Sequence, residues 1–326
     1  MRLATLSSDA PDGRLVVVSA DGRRFLPAPP HVGSMQAALD EWRMASMLLR
    51  ALSARLEVGA GSPLEGHRIA APLPRAWQWL DASAYPSHGD LMQKLFGGEP
   101  HSREIPLMYQ GISNPFLGPN DDAPFPREAD GIDFEGEFAV IADRTPMGVT
   151  VEAAASHIKL LVQVNDWSLR NLAWREMQTG FGWVQAKPAC SMAPFAVTPD
   201  ELGEHWRDGR VHLDLAVSWN GKRFGAPNGG AMGFSFPELV AHAASTRPLC
   251  AGTVIGSGTV SNSNYVEAGS TCIAERRAIE KLDRGAVLTE FMKFGDRVRM
   301  EAIAPNGTAT PFGAIDQGVV KAVPTP

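Results

Sequence analysis

Gly131-Ile132-Asp133-Phe134-Glu135-Gly136-Glu137-Phe138-Ala139-Val140-Ile141 sets the terms for the rest of the chain. Its apolar end, Phe138 to Ile141, predicts a strand. Residues i and i+2 of a strand share a face, so Glu135 and Glu137 converge. Two like charges side by side on a strand destabilise it unless a cation neutralises them. The pair is therefore either a solvated edge of exposed glutamates or part of a cation site, and the stretch alone leaves both open. Asp133, in step with them, extends the acidic row or faces solvent.

Two further segments offer carboxylates. Val162-Gln163-Val164-Asn165-Asp166-Trp167-Ser168-Leu169-Arg170 carries an apolar strand into a strand-to-helix turn, where Asp166 is either a ligand or a helix N-cap. Trp77-Gln78-Trp79-Leu80-Asp81 leads through Tyr85 to His88. Acids from three segments, without a Cys or His cluster, suit a hard divalent cation. All-oxygen ligation favours Mg²⁺ or Ca²⁺ over Zn²⁺.

The 326 residues carry 30 Lys+Arg against 36 Asp+Glu, a formal net charge of −6, and are 44% hydrophobic. That balance provides no broad field for phosphate backbones or anionic lipid, so neither nucleic acid nor a membrane is an expected partner. Apolar runs such as Leu15-Val16-Val17-Val18 are far short of the ~20 residues that span a bilayer. The N-terminal stretch lacks an apolar signal region. Cys190, Cys250 and Cys272 are irregularly spaced, which fits small buried side chains in a reducing cytoplasm rather than disulfides or zinc. Aromatic usage is skewed, with 14 Phe and 8 Trp but only Tyr85, Tyr109 and Tyr265.

Residues 1–70 read as a small module of strands plus helix, and 71–326 as the body. In the module, Asp21-Gly22 predicts a hairpin between Leu15–Val18 and Arg24–Leu26. Ser34 to Gly59 predicts one capped helix. In the body, Asn220-Gly221 marks a second hairpin, and Gly295-Asp296 a third, bracketed by Phe291 and Val298. Helices are expected over Val151–Leu161, Asn171–Gln178 and Pro237–Ser245. The class is α+β, mostly β, without a nucleotide-binding fingerprint.

Taken in order, four motifs resemble the fumarylacetoacetate hydrolase superfamily over about residues 75–302. They are Glu135-Gly136-Glu137-Phe138; Asn165-Asp166-Trp167-Ser168 with Arg170; Lys187 with Ser191-Met192-Ala193-Pro194; and Gly256-Ser257-Gly258-Thr259-Val260-Ser261. Asp81 with His88, and Pro106-Leu107-Met108-Tyr109-Gln110-Gly111-Ile112-Ser113, resemble the fumarylacetoacetase branch in particular. The resemblance implies a mixed β-roll catalytic domain, a homodimer, and a metal held by Asp81, Glu135, Glu137 and Asp166. It implies His88 as general base with Glu275 behind it, Glu267 and Glu280 being the rivals. Lys187 and Arg170 would face a developing oxyanion, and Tyr109, Tyr85 and Thr259 the substrate. The implied reaction is hydrolysis of a carbon–carbon bond in a small β-diketo acid such as fumarylacetoacetate, in tyrosine-type aromatic catabolism. Acylpyruvate hydrolysis, oxaloacetate decarboxylation, 2-keto-enoate hydration and a non-catalytic binder are the alternatives. Departures from the branch include Ala173 where a glutamine is expected and Ser83 where a tyrosine is expected, which puts the substrate in question more than the chemistry.

Overall fold

Asn220 and Gly221 both have positive φ, 50° and 74°, as a two-residue hairpin turn of the I′ type requires. The expected hairpin forms there, between strands Asp214–Trp219 and Lys222–Gly225. Buried Leu215 and Val217 alternate with more exposed neighbours along the first of these strands, so one face is core and the other is wet. Arg297–Ile303, Ala309–Lys321 and Ala123–Phe125 continue the hairpin into a five-stranded sheet.

A twelve-stranded sheet forms the other layer of this computed structural model, which describes residues 1–97, 103–304 and 309–323. Strand Gly136–Ala142 lies in its middle, antiparallel to both Ile158–Asn165 and Thr253–Gly256. Thr253–Gly256 runs parallel to Gln78–Ala82, whose other neighbour is Met108–Gly111. Every residue of Gly136–Ala142 is buried. Phe138 and Val140 pack with Leu215, Met300 and Phe312 of the five-stranded sheet, whereas Ala139 and Ile141 pack with Leu39, Leu49 and Val162. Covered on both faces, the strand reads as a continuous apolar run rather than an alternating one.

The N-terminal strands belong to the same sheet. Arg2 pairs with Val197, and the Met1 amino group donates to Thr198 Oγ1 at 2.7 Å and pairs with Glu201 at 2.8 Å. The Asp21-Gly22 hairpin forms as expected. The helix expected from Ser34 to Gly59 is two helices, Met35–Asp40 and Trp42–Glu57, broken at Glu41. Among the described residues no helix is long and apolar enough to cross a membrane.

Other expectations need correction. Val151–Leu161 is not a helix: one turn, Val151–Ala154, gives way to strand Ile158–Asn165. Leu160, Leu161 and Val162 are fully buried there, and burial in the sheet outweighs local helix propensity. Gly295-Asp296 joins no paired strands, because Arg297–Ile303 pairs with Asp214–Trp219 and Ala309–Lys321. The helices expected over 171–178 and 237–245 form as Arg170–Met177 and Phe236–Ala243. Unexpected ones also form, among them Pro86–Phe96 and Ile273–Arg284. Pro86 in the first turn of one and Gly285 (φ 72°) just past the other were their sequence signals.

Candidate metal and acid–base site

Strand ends converge on the sheet face shared by Trp79, Ala139 and Val254. The register sets Ala139 opposite Gly256 and Gly256 opposite Asp81, which brings Asp81 and Glu137 together around Gly256. A Cβ on Gly256 would lie 2.5 Å from Asp81 Oδ1 and 3.0 Å from Glu137 Oε2; glycine leaves that volume to the carboxylates. Gly258, at φ 79°, turns the chain so that its N–H donates to Asp81 Oδ1 at 3.1 Å. Asp166 enters from the end of Ile158–Asn165, its N–H donating to the Glu135 carbonyl at 2.9 Å.

One oxygen each from Asp81, Glu137 and Asp166 lies within 4.8 Å of the other two, and all three residues are buried. Burial, then Asp166, pushes the Asp81 carboxyl up to about 8. Burial, then Asp81 and Asp166, pushes Glu137 well above the usual carboxylate range. Among the described residues no N–H or hydroxyl donor reaches either Glu137 oxygen, and its close neighbour Asp81 is another carboxyl. Orphaned oxygens among repelling carboxylates fit a hard divalent cation.

Glu135 stands beside this triad in a different setting. Lys187 Nζ and Ser168 Oγ each donate to its Oε1 at 2.6 Å, and Thr259 Oγ1 donates to its Oε2. Arg170 Nη2 lies 3.0 Å from Oε1 without hydrogen-bond alignment, while Arg170 Nε donates to Asp133 at 2.8 Å. Burial alone would raise the Glu135 carboxyl; Arg170 and Lys187 outweigh it and hold it well below its usual range. Lys187 also donates to Asp166 Oδ2 at 2.6 Å. Burial would depress its ammonium, but Asp166 and Glu135 hold it above its ordinary value. Of the four acids expected as metal ligands, three thus cluster within reach of one ion. Glu135 is balanced by the protein's own cations.

Arg170 is directed at Asp133 and Glu135, and Thr259 at Glu135. Asp133 neither faces solvent nor joins the triad. It is fully buried and accepts from the N–H groups of Ile273 and Ala274 at 2.7 and 2.9 Å, at the start of helix Ile273–Arg284.

Tyr109 donates to Asp166 Oδ2 at 2.7 Å, and burial, then Asp166, pushes its phenol well above the usual range. Lys187 Nζ lies 5.3 Å from the centre of its ring. Trp183 meets that ring edge-on, with centroids 4.6 Å apart. The sequence motifs do not mark Trp183 or Cys190 as site residues. Cys190, expected as a plain buried side chain, is buried but sends its Sγ to Asp166 Oδ1 at 2.9 Å. Its closeness in sequence to Lys187 was the only signal. Trp183 offered none.

His88 lies in the first turn of Pro86–Phe96, and its Nδ1 is 2.8 Å from Glu275 Oε2. Glu275 is fully buried in the first turn of Ile273–Arg284. Of its rivals, Glu267 is exposed and Glu280 accepts from the N–H groups of Leu288 and Thr289. Tyr85 is buried and donates to the Gly229 carbonyl at 3.0 Å. Tyr265 reaches Asp283 at 3.4 Å. Only Tyr109 of the three phenols touches the acid cluster.

Known proteins share this arrangement of the chain. The family profile described as Fumarylacetoacetate (FAA) hydrolase C-terminal matches residues 78–320, and that described as Fumarylacetoacetase N-terminal domain 2 matches residues 1–75. A 2,4-didehydro-3-deoxy-L-rhamnonate hydrolase from Sphingomonas sp. (strain SKA58) is 28% identical over 205 residues, covering 59% of this chain and 68% of that protein. The mitochondrial oxaloacetate tautomerase FAHD2A of Homo sapiens is 24% identical over 157 residues, 47% of this chain and 48% of that protein. A maleylpyruvate hydrolase from Sphingobium sp. SYK-6, solved with manganese(II) and pyruvate, shares the fold at TM-score 0.66 and 18% identity, covering 99% of this chain and 100% of that one. With a profile match over most of its length, the chain belongs to the fumarylacetoacetate hydrolase family.

Proposed function

We propose that this chain is a divalent-metal-dependent hydrolase cleaving a carbon–carbon bond in a small diketo acid. The observation that carries the reading is the His88–Glu275 pair, 2.8 Å apart, anchored at both ends to the acid site. Helix Pro86–Phe96 follows the strand ending in Asp81–Ala82, and helix Ile273–Arg284 is tied through Asp133 and Arg170 to Glu135.

Asp81, Glu137 and Asp166 would hold the cation; Glu135 would join them only by giving up part of its pairing with Lys187. A bound divalent cation supplies Lewis acidity towards the keto and enolate oxygens of a diketo acid. With Nδ1–H directed to Glu275, the His88 Nε2 lone pair takes a proton from water. The water oxygen bonds to a carbonyl carbon, the adjacent carbon–carbon bond breaks, and its electron pair leaves as an enolate that is then protonated. Glu275 stabilises the imidazolium formed in the first step. Lys187, kept charged by two carboxylates, offers positive charge to the oxygen that becomes anionic.

Fumarylacetoacetate, in tyrosine-type catabolism, is one candidate substrate. The relatives do not single it out: their named activities extend to sugar-derived keto acids, maleylpyruvate and oxaloacetate. Tautomerisation of oxaloacetate is the second reading, favoured by the FAHD2A relative, and it needs only the proton transfer that His88 provides. Mg²⁺ or Ca²⁺ is the proposed cation. A homodimer is the proposed assembly, with the exposed Met177, Phe181 and Val184 as candidate contacts and light scattering as the check. The test of activity is to incubate the purified protein with fumarylacetoacetate, maleylpyruvate, acylpyruvates and oxaloacetate, with Mg²⁺ and then EDTA. Metal-dependent loss of diketone absorbance with two carbon fragments supports hydrolysis, enol–keto equilibration of oxaloacetate alone supports the tautomerase, and turnover of none sinks both.

A further inference from the structure

Glu275 occupies the third position of helix Ile273–Arg284, where a glutamate ordinarily folds back onto the N-cap N–H of its own helix. Here it turns outward. Oε2 meets His88 Nδ1 at 2.8 Å, and Oε1 accepts from Ser270 Oγ at 2.9 Å. Ser270 is fully buried, and its single hydroxyl hydrogen has two acceptors in reach, Glu275 Oε1 and the Cys272 carbonyl at 3.1 Å. The carboxylate is both closer and charged, so it takes the hydrogen. The Ser270 backbone is fixed in turn by Gly225, where any Cβ would collide with the Ser270 N and O atoms.

We infer that Ser270 is a positioning residue for the proposed reaction, the third member of a Ser270–Glu275–His88 relay. By occupying Oε1, it aims Oε2 at Nδ1, locks the imidazole into the Nδ1–H tautomer and leaves Nε2 as the basic nitrogen. The inference rests on the proposed role of His88, so its test has a readout that requires no substrate. Long-range ¹H–¹⁵N spectra of histidine-labelled protein report the tautomer of each imidazole, and an H88Q sample identifies the His88 signals. The wild type is expected to hold His88 in the Nδ1–H form, and S270A to populate both tautomers. S270C, close in size with a weaker donor, lies between them and serves if S270A fails to fold.

In turnover, S270A is expected to lower kcat about tenfold, as for one lost hydrogen bond to a charged group, with KM unchanged. Mn²⁺ affinity by calorimetry stays at the wild-type value, because Ser270 touches none of the triad acids. An unchanged His88 tautomer in S270A and S270C overturns the relay whatever the activity. A shifted tautomer in a protein that turns over no keto acid upholds the relay and overturns the proposed reaction.

Discussion

Two groups of buried acids lie side by side in this protein, and only one is neutralised from within. Glu135 and Asp133 face Lys187 and Arg170. Among the described residues Asp81 and Glu137 have no such partner and are pushed upward, Asp81 to about 8; burial raises Asp133 as well, with Arg170 working against it. Asp166 belongs to both, with Lys187 on Oδ2 and a place in the triad. Burial is common to all five, so the difference lies in compensation. An acid that the fold has already balanced is part of the frame, and one left unbalanced waits for a cation.

The largest expected break in that comparison is K187M, which leaves Glu135 and Asp166 without their shared counter-ion. Urea unfolding should show a loss of about 3–5 kcal/mol, as for one partner removed from a buried pair. A loss under 1 kcal/mol would mean that Arg170 alone suffices. Next in size is the cation itself. Mn²⁺ or Mg²⁺ at a hundredfold excess over its Kd should stabilise the protein by about 2.7 kcal/mol against EDTA. No shift in melting temperature would remove the triad as a metal site.

The same measurement carries a pH sign. Asp81 has a folded pKa raised above its unfolded value of about 4. In EDTA its contribution is therefore fully present below pH ~4 and is lost as pH rises towards 8. Saturating metal should flatten that slope.

Smaller effects of opposite sign come from two neighbouring glutamates. In EDTA, E135Q should destabilise by about 1–3 kcal/mol, because it removes a charged acceptor. E137Q should stabilise by up to about 1 kcal/mol, because it removes a repelling charge, and it should abolish the metal response. Equal signs would break the distinction. Smallest of all is D200N. Hydrogen bonds from Arg50 hold Asp200 below the usual range against the opposing effect of burial, yet its side chain is 54% exposed. Its pairing should contribute under about 1 kcal/mol at neutral pH, a difference that fades as pH falls below about 4.

Much of the site was legible because its chemistry is local. The Glu135-Gly136-Glu137 and Asn165-Asp166 motifs each name their acids, and the Gly256-Ser257-Gly258 turn is one of the four motifs that carry the family resemblance. The two helices that present His88 and Glu275 were harder to see. Ile273–Arg284 is crowded with charge and offered no apolar run to mark it. Ile158–Asn165 misled in the opposite direction, because its leucines suit a helix until both faces are covered. The tyrosines show the same limit, since counting drew attention to all three and only Tyr109 reaches the acids.

The sequence by itself determined which residue types were on hand: carboxylates on three segments, one lysine ahead of a proline, a histidine downstream of Asp81. Alternation, turn residues and apolar runs are short-range properties, so they were also enough for the class of fold and several hairpins. Only the tertiary structure decided which acids share space with cations and which share it with one another. Glu135 and Glu137 are two residues apart, and nothing local separates them. What does so is Lys187, Arg170, Ser168 and Thr259 converging on one, and Asp81 and Asp166 on the other. Electrostatic compensation depends on distance through space, which the order of residues along the chain does not record.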